Sequence, residues 1–133
     1  MKAVRQGKEL LVEMGDTIGG LNEIAKLLAV KGINIMSLHG TTCEGRAYIR
    51  LLTDDNLRAG DALKAKKFTV SEEDCILLVV PNKPGTLRKL TTKLAGEEIN
   101  IHRIYATSTD DAYTCLVSLS TSDNARALVL LRK

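Results

Sequence analysis

Two stretches of this sequence decide its fold: GGLNEIAKLLAVKGINI at residues 19–35 and GTLRKLTTKLAGEEINI at residues 85–101. They align without a gap at an offset of 66 residues, which superimposes their first glycines and their final Ile-Asn-Ile. Further along, Asp55-Asn56 matches Asp123-Asn124 at an offset of 68, which indicates a two-residue insertion in the second hairpin. Repeats of this period are typical of duplicated supersecondary units. The 133 residues are therefore predicted to form two related units.

Each unit is predicted to follow the order βαββαβ, an α+β fold. In the first unit, residues 9–14 alternate in polarity as a half-buried strand does, and a glycine-rich turn follows. Apolar residues then recur at helical spacing up to Gly32, which we expect to cap the C-terminus of this helix. Asp54 or Asp55 is expected to be the N-cap of the second helix. The predicted strands of this unit are 9–14, 33–41, 46–53 and 68–73, with a turn near Cys43-Glu44-Gly45.

The second unit is predicted to be one element short. Residues 76–80 are all apolar, as in a central strand that is covered on both faces. No residues remain for a sixth element, and an unpaired edge beside so apolar a strand would favour aggregation. The predicted elements of this unit are strand 75–80, helix 87–95, strands 99–107 and 112–119, and helix 121–131.

The N-terminal segment is a candidate for the missing strand. We predict that Lys2–Gln6, followed by a turn at Gly7-Lys8, pairs beside residues 76–80. The first unit would then be 7–73 and the second 74–133, completed by strand 1–6. The alternative is a disordered tail on a truncated second domain.

Composition excludes several classes of protein. The formal net charge is only +3, and aromatic residues make up 3% of the chain, so a nucleic-acid-binding surface is not expected. No stretch has the ~18 to 20 apolar residues that cross a bilayer, and the N-terminus has no apolar signal core. The three cysteines lie too far apart for a redox or zinc pattern. We expect a cytoplasmic protein with reduced thiols, no membrane contact, no metal and no cofactor.

The loop Pro81-Asn82-Lys83-Pro84-Gly85-Thr86-Leu87, followed by Ile99-Asn100-Ile101, resembles the signature of the ACT domain. The stretch Asp16–Leu21, followed by Ile33-Asn34-Ile35, resembles the same signature less closely, because Ile18 stands where proline is usual. The resemblance covers essentially the whole chain and implies two ferredoxin-like units with antiparallel sheets. Among tandem members, the regulatory portion of aspartokinases is similar in layout, but this sequence has no kinase portion.

The resemblance implies that a small effector, usually an amino acid, binds at these loops. Its carboxylate would suit free N–H groups at a helix N-terminus, and its ammonium group would suit Asp16, Asn82, Asn34 or Asn100 as acceptors. Because Asp16 is charged, the first loop is favoured and the second is held as a partner site. The candidate binding residues are Asp16, Thr17, Ile18, Gly19, Gly20, Asn34, Ile35, Asn82, Pro84, Gly85, Thr86, Asn100 and Ile101.

The same residues also have purely structural explanations. A strand-to-helix turn needs glycine for its geometry, and Asn34 and Asn100 could simply satisfy backbone groups where strands begin. His39 and His102 do not coincide under the repeat. The pairs Asp54-Asp55 and Asp110-Asp111 fit cap and turn roles better than acid–base chemistry.

The leading hypothesis is a non-enzymatic regulatory protein that senses an amino acid and changes its assembly or its binding to a metabolic enzyme or regulator. A homodimer through the strand edges at 33–41 and 99–107 is expected. The alternatives are a ligand-free structural dimerisation module and a small enzyme on the same topology.

Overall fold

The computed structural model describes residues 3–110 and 112–133 of the chain. It confirms the α+β class and the βαββαβ arrangement with antiparallel strands. Met1, Lys2 and Asp111, which belong to the predicted N-terminal strand and to the predicted Asp110-Asp111 pair, lie outside the described residues. In chain order the elements are β1 (Ala3–Gly15), α1 (Gly20–Val30), β2 (Ile35–Cys43), β3 (Arg46–Thr53), α2 (Asn56–Ala65), β4 (Thr69–Pro81), α3 (Thr86–Gly96), β5 (Ile101–Thr107), β6 (Thr114–Thr121) and α4 (Asn124–Leu131).

The chain divides into two compact units. One, the continuous unit, is Lys8–Glu73, with strand order β2-β3-β1-β4. The other, the discontinuous unit, combines the described residues of Met1–Gly7 with Asp74–Lys133, with strand order β1-β4-β6-β5. β1 and β4 each give one part to each unit, while β2 and β5 are edge strands.

Two expected breaks in the chain are wrong. The turn predicted at Gly7-Lys8 is part of β1, and the strands predicted at 68–73 and 75–80 form the single strand β4. Gly7 lies so close to its neighbours that a Cβ there would come within 2.7 Å of Leu77 Cδ1. The glycine therefore permits close packing rather than a turn.

Each unit has its own aliphatic core. In the continuous unit, Leu10 pairs with Leu51 and Val12 with Ile49 across β1 and β3, and all four are buried beneath the helices. In the discontinuous unit, Ile76 pairs with Leu119, and Val4 of β1 packs against the same core. Val4 O also accepts a hydrogen bond from Arg132 Nε at 3.3 Å.

The same hydrogen-bond network joins a strand to a helix in each unit. Asn56 Oδ1 accepts from Thr53 N at 3.1 Å and from Thr53 Oγ1 at 2.7 Å. Asn124 Oδ1 accepts from Thr121 N and Oγ1, both at 2.8 Å. Among the hydrogen bonds between described residues, Asn56 has one that Asn124 lacks, from its Nδ2 to Lys8 O at 2.9 Å.

Asp55 and Asp123 are the N-caps of α2 and α4, and each accepts from the backbone N–H three residues on at 3.1 Å. Asp55, not Asp54, is therefore the cap of α2. α4 begins three residues later than residue 121, where the sequence analysis placed its start, because the junction before the cap is extended. The hydrogen bonds that join the strand to the following helix are therefore repeated in both units.

Three of the helices end in the same left-handed turn. Gly32, Lys67 and Glu98 have φ of 70°, 71° and 57° after α1, α2 and α3. After α1, Gly32 N donates to Ala29 O at 3.0 Å and Ile33 N donates to Leu28 O at 2.9 Å. Equivalent bonds follow α2 and α3, so all three are Schellman motifs. Only α1 has the glycine that this conformation favours.

Candidate functional site

The first predicted loop connects β1 to α1 through Asp16–Gly19. Its conformation is held by the backbone: Asp16 N donates to Gly45 O at 3.0 Å, and Gly20 N donates to Thr17 O at 3.3 Å. Gly19 has φ of 84°, a left-handed conformation that favours glycine. Asp16, Thr17, Ile18 and Gly19 are exposed, whereas Gly20 is buried, and a Cβ there would come within 2.9 Å of Met14 Cε. The loop presents its backbone and the Asp16 carboxylate to solvent.

The second loop, Asn82–Gly85, repeats this arrangement between β4 and α3. Asn82 N donates to Tyr113 O at 2.9 Å, Thr86 N donates to Lys83 O at 3.3 Å, and Gly85 has φ of 90°. Asn82 differs from Asp16 because its Nδ2 also donates to Ala112 O at 3.0 Å. Pro84 is exposed. The second loop is thus tied more firmly to its neighbouring hairpin.

Both loops lead into a helix whose N-terminus has no side-chain cap. In α1 the first helical bond is from Glu23 N to Gly19 O at 3.0 Å. The N–H groups of Leu21 and Asn22 precede that bond and point out of the helix end. Backbone N–H groups at such an end carry partial positive charge, which makes them suitable partners for a carboxylate. In this respect the geometry suits the predicted chemistry.

Asn34 and Asn100 lie where β2 and β5 begin, and their backbones are satisfied locally. Asn34 N donates to Asp54 Oδ1 at 3.0 Å, and Asn34 O accepts from Asp54 N at 3.1 Å. Asn100 N donates to Ser122 Oγ, and Asn100 O accepts from Ser122 N, both at 2.9 Å. Both asparagines are exposed. These hydrogen bonds involve backbone atoms that any residue has, and the side chains of the two asparagines are exposed.

The candidate residues of the continuous unit fall into two groups at opposite ends of α1. Asp16–Gly20 precede the helix, and Asn34 and Ile35 follow it. The eleven residues of α1 span about 16 Å at 1.5 Å per residue. Within one copy, the loop and the strand start are therefore separated by more than the length of an amino acid. The same holds for Asn82–Thr86 and Asn100-Ile101 at the two ends of α3.

The sequence analysis did not anticipate two surface depressions. One, of about 320 Å³, lies beside the second loop and includes Pro81, Lys83 and Thr86. The other is a larger groove on the continuous unit that includes Lys66, Lys67 and Phe68. The sequence signal for the groove is weak, because lysines at a helix C-terminus are explained by the helix dipole alone.

The histidine, cysteine and acidic side chains do not form a metal-binding cluster among the described residues. Within residues 3–110 and 112–133, no three His, Cys, Asp or Glu side chains are placed to hold a metal ion. His39 is half-buried in β2 and His102 is exposed in β5. The three cysteines, all among the described residues, form no disulfide bond; Cys43 is exposed and Cys75 is buried. In the described part of the chain, no helix is long and apolar enough to cross a membrane.

Comparison with known families supports the sequence resemblance. The family model described as the ACT domain matches residues 76–132, which lie in the discontinuous unit. No curated protein matches the chain.

Solved structures extend the likeness to both units. A protein of Bacteroides thetaiotaomicron matches with a TM-score of 0.90 and 25% identity over 97% of this chain and 88% of that one. The ligand-free regulatory subunit of aspartate kinase from Thermus thermophilus matches with a TM-score of 0.66 and 15% identity over 97% and 94%. The corresponding subunit from Thermus flavus matches with a TM-score of 0.62 and 16% identity over 98% and 94%. The resemblance to ACT domains and to the fold of aspartokinase regulatory subunits is thus confirmed.

These matches support a regulatory role that involves binding of a small molecule. The matched aspartate kinase chains from Thermus thermophilus and Thermus flavus are themselves regulatory subunits.

Proposed function

We propose that this protein binds an amino acid at the Asp16–Gly20 loop and responds by changing its assembly or its contact with a partner enzyme or regulator. The observation that carries the proposal is the uncapped N-terminus of α1 beside an exposed carboxylate, Asp16. An amino acid has a carboxylate for the helix end and an ammonium group for Asp16. Its two charges match the two features of the loop.

The first loop is preferred over the second because of charge. Asp16 can form a charge-assisted hydrogen bond with an ammonium group, and such bonds are stronger than those of a neutral amide. Asn82 offers an ammonium group only a neutral amide oxygen, because an amide nitrogen can donate but not accept; that nitrogen donates to Ala112 O. The second loop would therefore bind the same ligand more weakly.

The separation along α1 suggests how binding could alter assembly. A ligand held by Asp16 cannot reach Asn34 of the same copy, since the helix between them is about 16 Å long. A ligand that contacts both segments would need a second copy of the chain. The exposed side chains Met36 and Leu38 on edge strand β2 offer an apolar surface for such a copy. Binding and dimerisation would then be linked, typically by ~1 to 3 kcal/mol.

A ligand-free structural module is the second candidate. It is favoured by Ile18, whose side chain is fully exposed where the ACT pattern has proline.

Thermal melting in the presence of each of the twenty amino acids tests the proposal. A ligand at 100 times its Kd adds ~2.7 kcal/mol to the stability of the protein that it binds. We expect one or a few amino acids to raise Tm, and Asp16→Ala to abolish the increase while Asn82→Ala preserves it. Sedimentation with and without that amino acid measures the change in assembly. If no amino acid raises Tm, the structural module is correct instead.

A further inference from the structure

The continuous unit has a groove of about 880 Å³ along the outer face of α1. Its apolar lining includes Leu27 and Val30 of α1 together with Phe68, which precedes β4. Val30 is 75% exposed, so an apolar side chain faces solvent there. The volume is within the usual range for pockets that hold small organic ligands, ~300 to 1,000 Å³.

The rim of this groove is strongly positive. Five cationic side chains line it against two carboxylates, an excess of three charges that equals the formal net charge of the whole chain, +3. Across the part of the chain that the structure describes, none of these side chains takes part in an ion pair. The cations are Lys26, Lys31, Arg46, Lys66 and Lys67, and the carboxylates are Glu13 and Glu23.

Helix dipoles explain only part of this charge. Lys66 and Lys67 follow the C-terminus of α2, where cations are favourable. Arg46, however, begins strand β3, and Lys26 lies in the middle of α1. An excess of unpaired cations around an apolar surface raises the local concentration of anions.

The groove is also not a simple consequence of the duplicated fold. At the offset of 66, Leu27 and Val30 of α1 correspond to Lys93 and Gly96 of α3. The apolar stripe on the outer face of α1 is therefore absent from its counterpart helix. This difference makes the discontinuous unit a natural control.

We propose that the groove binds an amphipathic organic anion. Its chain or ring would cover Val30 and Phe68, and its acidic group, a carboxylate or a phosphate, would lie among Arg46, Lys66 and Lys67. The site uses none of the residues from Asp16 to Gly20, although Met14 and Gly15, which also line the groove, directly precede that loop. The protein would thus respond to a second and chemically different class of small molecule.

Fluorescence titration with 8-anilinonaphthalene-1-sulfonate tests the site, because this dye joins aromatic rings to an anion. Its neutral analogue N-phenyl-1-naphthylamine reports apolar binding alone. We expect one sulfonate dye per chain, and a Kd roughly fivefold higher in the Lys66→Gln/Lys67→Gln variant, since each exposed charge pair contributes ~0.2 to 1 kcal/mol. The matched control Lys89→Gln/Lys93→Gln should leave Kd unchanged. Val30→Asp should weaken both dyes.

Three results would overturn the proposal. Equal sulfonate-dye affinity in the wild type and the Lys66→Gln/Lys67→Gln variant would overturn the proposal, as would equal weakening of the neutral dye by that variant. Conversion of a dimer to a monomer by Val30→Asp, seen by light scattering, would show that a second copy covers the groove and would also overturn it.

Competition identifies the acidic group. Displacement of the sulfonate dye by decanoate supports a carboxylate ligand, and displacement by adenosine monophosphate supports a phosphate ligand. If inorganic phosphate displaces the dye as well as either of them, the apolar surface has no role and the proposal fails. It also fails if neither displaces the dye, because the groove would then bind dye only.

Discussion

Replacing Glu98 by glycine should stabilise the protein, although the substitution removes a side chain. Glu98 has φ of 57° at the end of α3, a left-handed conformation that costs a residue with a Cβ about 1–2 kcal/mol. Its side chain is exposed and forms no ion pair with any described residue. The substitution therefore relieves backbone strain without removing a contact.

The size of the effect follows from two opposing terms. Glycine removes the left-handed penalty, but it increases the entropy of the unfolded chain by about 0.4–1 kcal/mol. The net gain should be about 0.5–1 kcal/mol, or roughly 2–4 °C in Tm for a chain of this size. Gly32, in the same motif after α1, provides the reverse experiment, because a Cβ there would meet no atom within 4 Å. Gly32→Ala should destabilise by a similar amount through the backbone alone.

Urea denaturation of four chains measures these effects: the wild type, Glu98→Gly, Glu98→Ala and Gly32→Ala. Glu98→Ala keeps a Cβ and removes the charge, so its midpoint should stay close to that of the wild type. Stabilisation by alanine equal to that by glycine would show that charge, not backbone conformation, is responsible. If Glu98→Gly leaves the midpoint unchanged or lowers it, the strain argument is refuted.

Three further tests, with four substitutions and one deletion, concern interactions within each unit. Asn56→Ala should destabilise by about 2–3 kcal/mol in urea denaturation, because it leaves a buried threonine N–H and hydroxyl without an acceptor. Asn124→Ala should cost about 1 kcal/mol less, since it loses one fewer of the hydrogen bonds between described residues. An equal or larger loss in Asn124→Ala would contradict this. Gly7→Ala should cost about 1–3 kcal/mol by forcing a Cβ against Leu77, whereas Gly96→Ala, with open space, should not destabilise. Deleting residues 1–6 should lower both Tm and solubility, and unchanged values would show that these residues do not complete the discontinuous unit.

The sequence was sufficient to predict the duplication and its elements because both copies keep the same signals. Ile-Asn-Ile and the aspartate N-caps recur at nearly fixed offsets, and each marks an element boundary through local chemistry. The turn predicted at Gly7-Lys8 failed because glycine serves close packing as well as turns, and only the position of Leu77 distinguishes the two.

Features that depend on several distant residues could not be predicted. The left-handed conformations of Lys67 and Glu98 have no glycine to indicate them, and tertiary packing after the helix imposes them. The groove combines residues of α1, the segment 66–68 that follows α2, and residues of β1, β3 and β4, so no local pattern predicts it. The distance between Asn34 and Asp16 could not be predicted either, because it depends on the length of α1, which lies between them.

The discontinuity of one unit has a consequence for biosynthesis. Residues up to Gly7 are synthesised before Lys8–Glu73, whereas Leu131, the last core residue of their unit, is synthesised after it. At ~5 to 20 residues per second, Leu131 is synthesised roughly 3–12 s after Glu73, the last residue of the continuous unit. The N-terminal strand segment must therefore wait that much longer than the continuous unit before its own unit is complete. Its described sequence, Ala-Val-Arg-Gln-Gly, has one large apolar side chain, whereas its counterpart in β4 contains Ile-Leu-Leu-Val-Val. The segment that must remain unpaired in the nascent chain is thus the one least prone to aggregate.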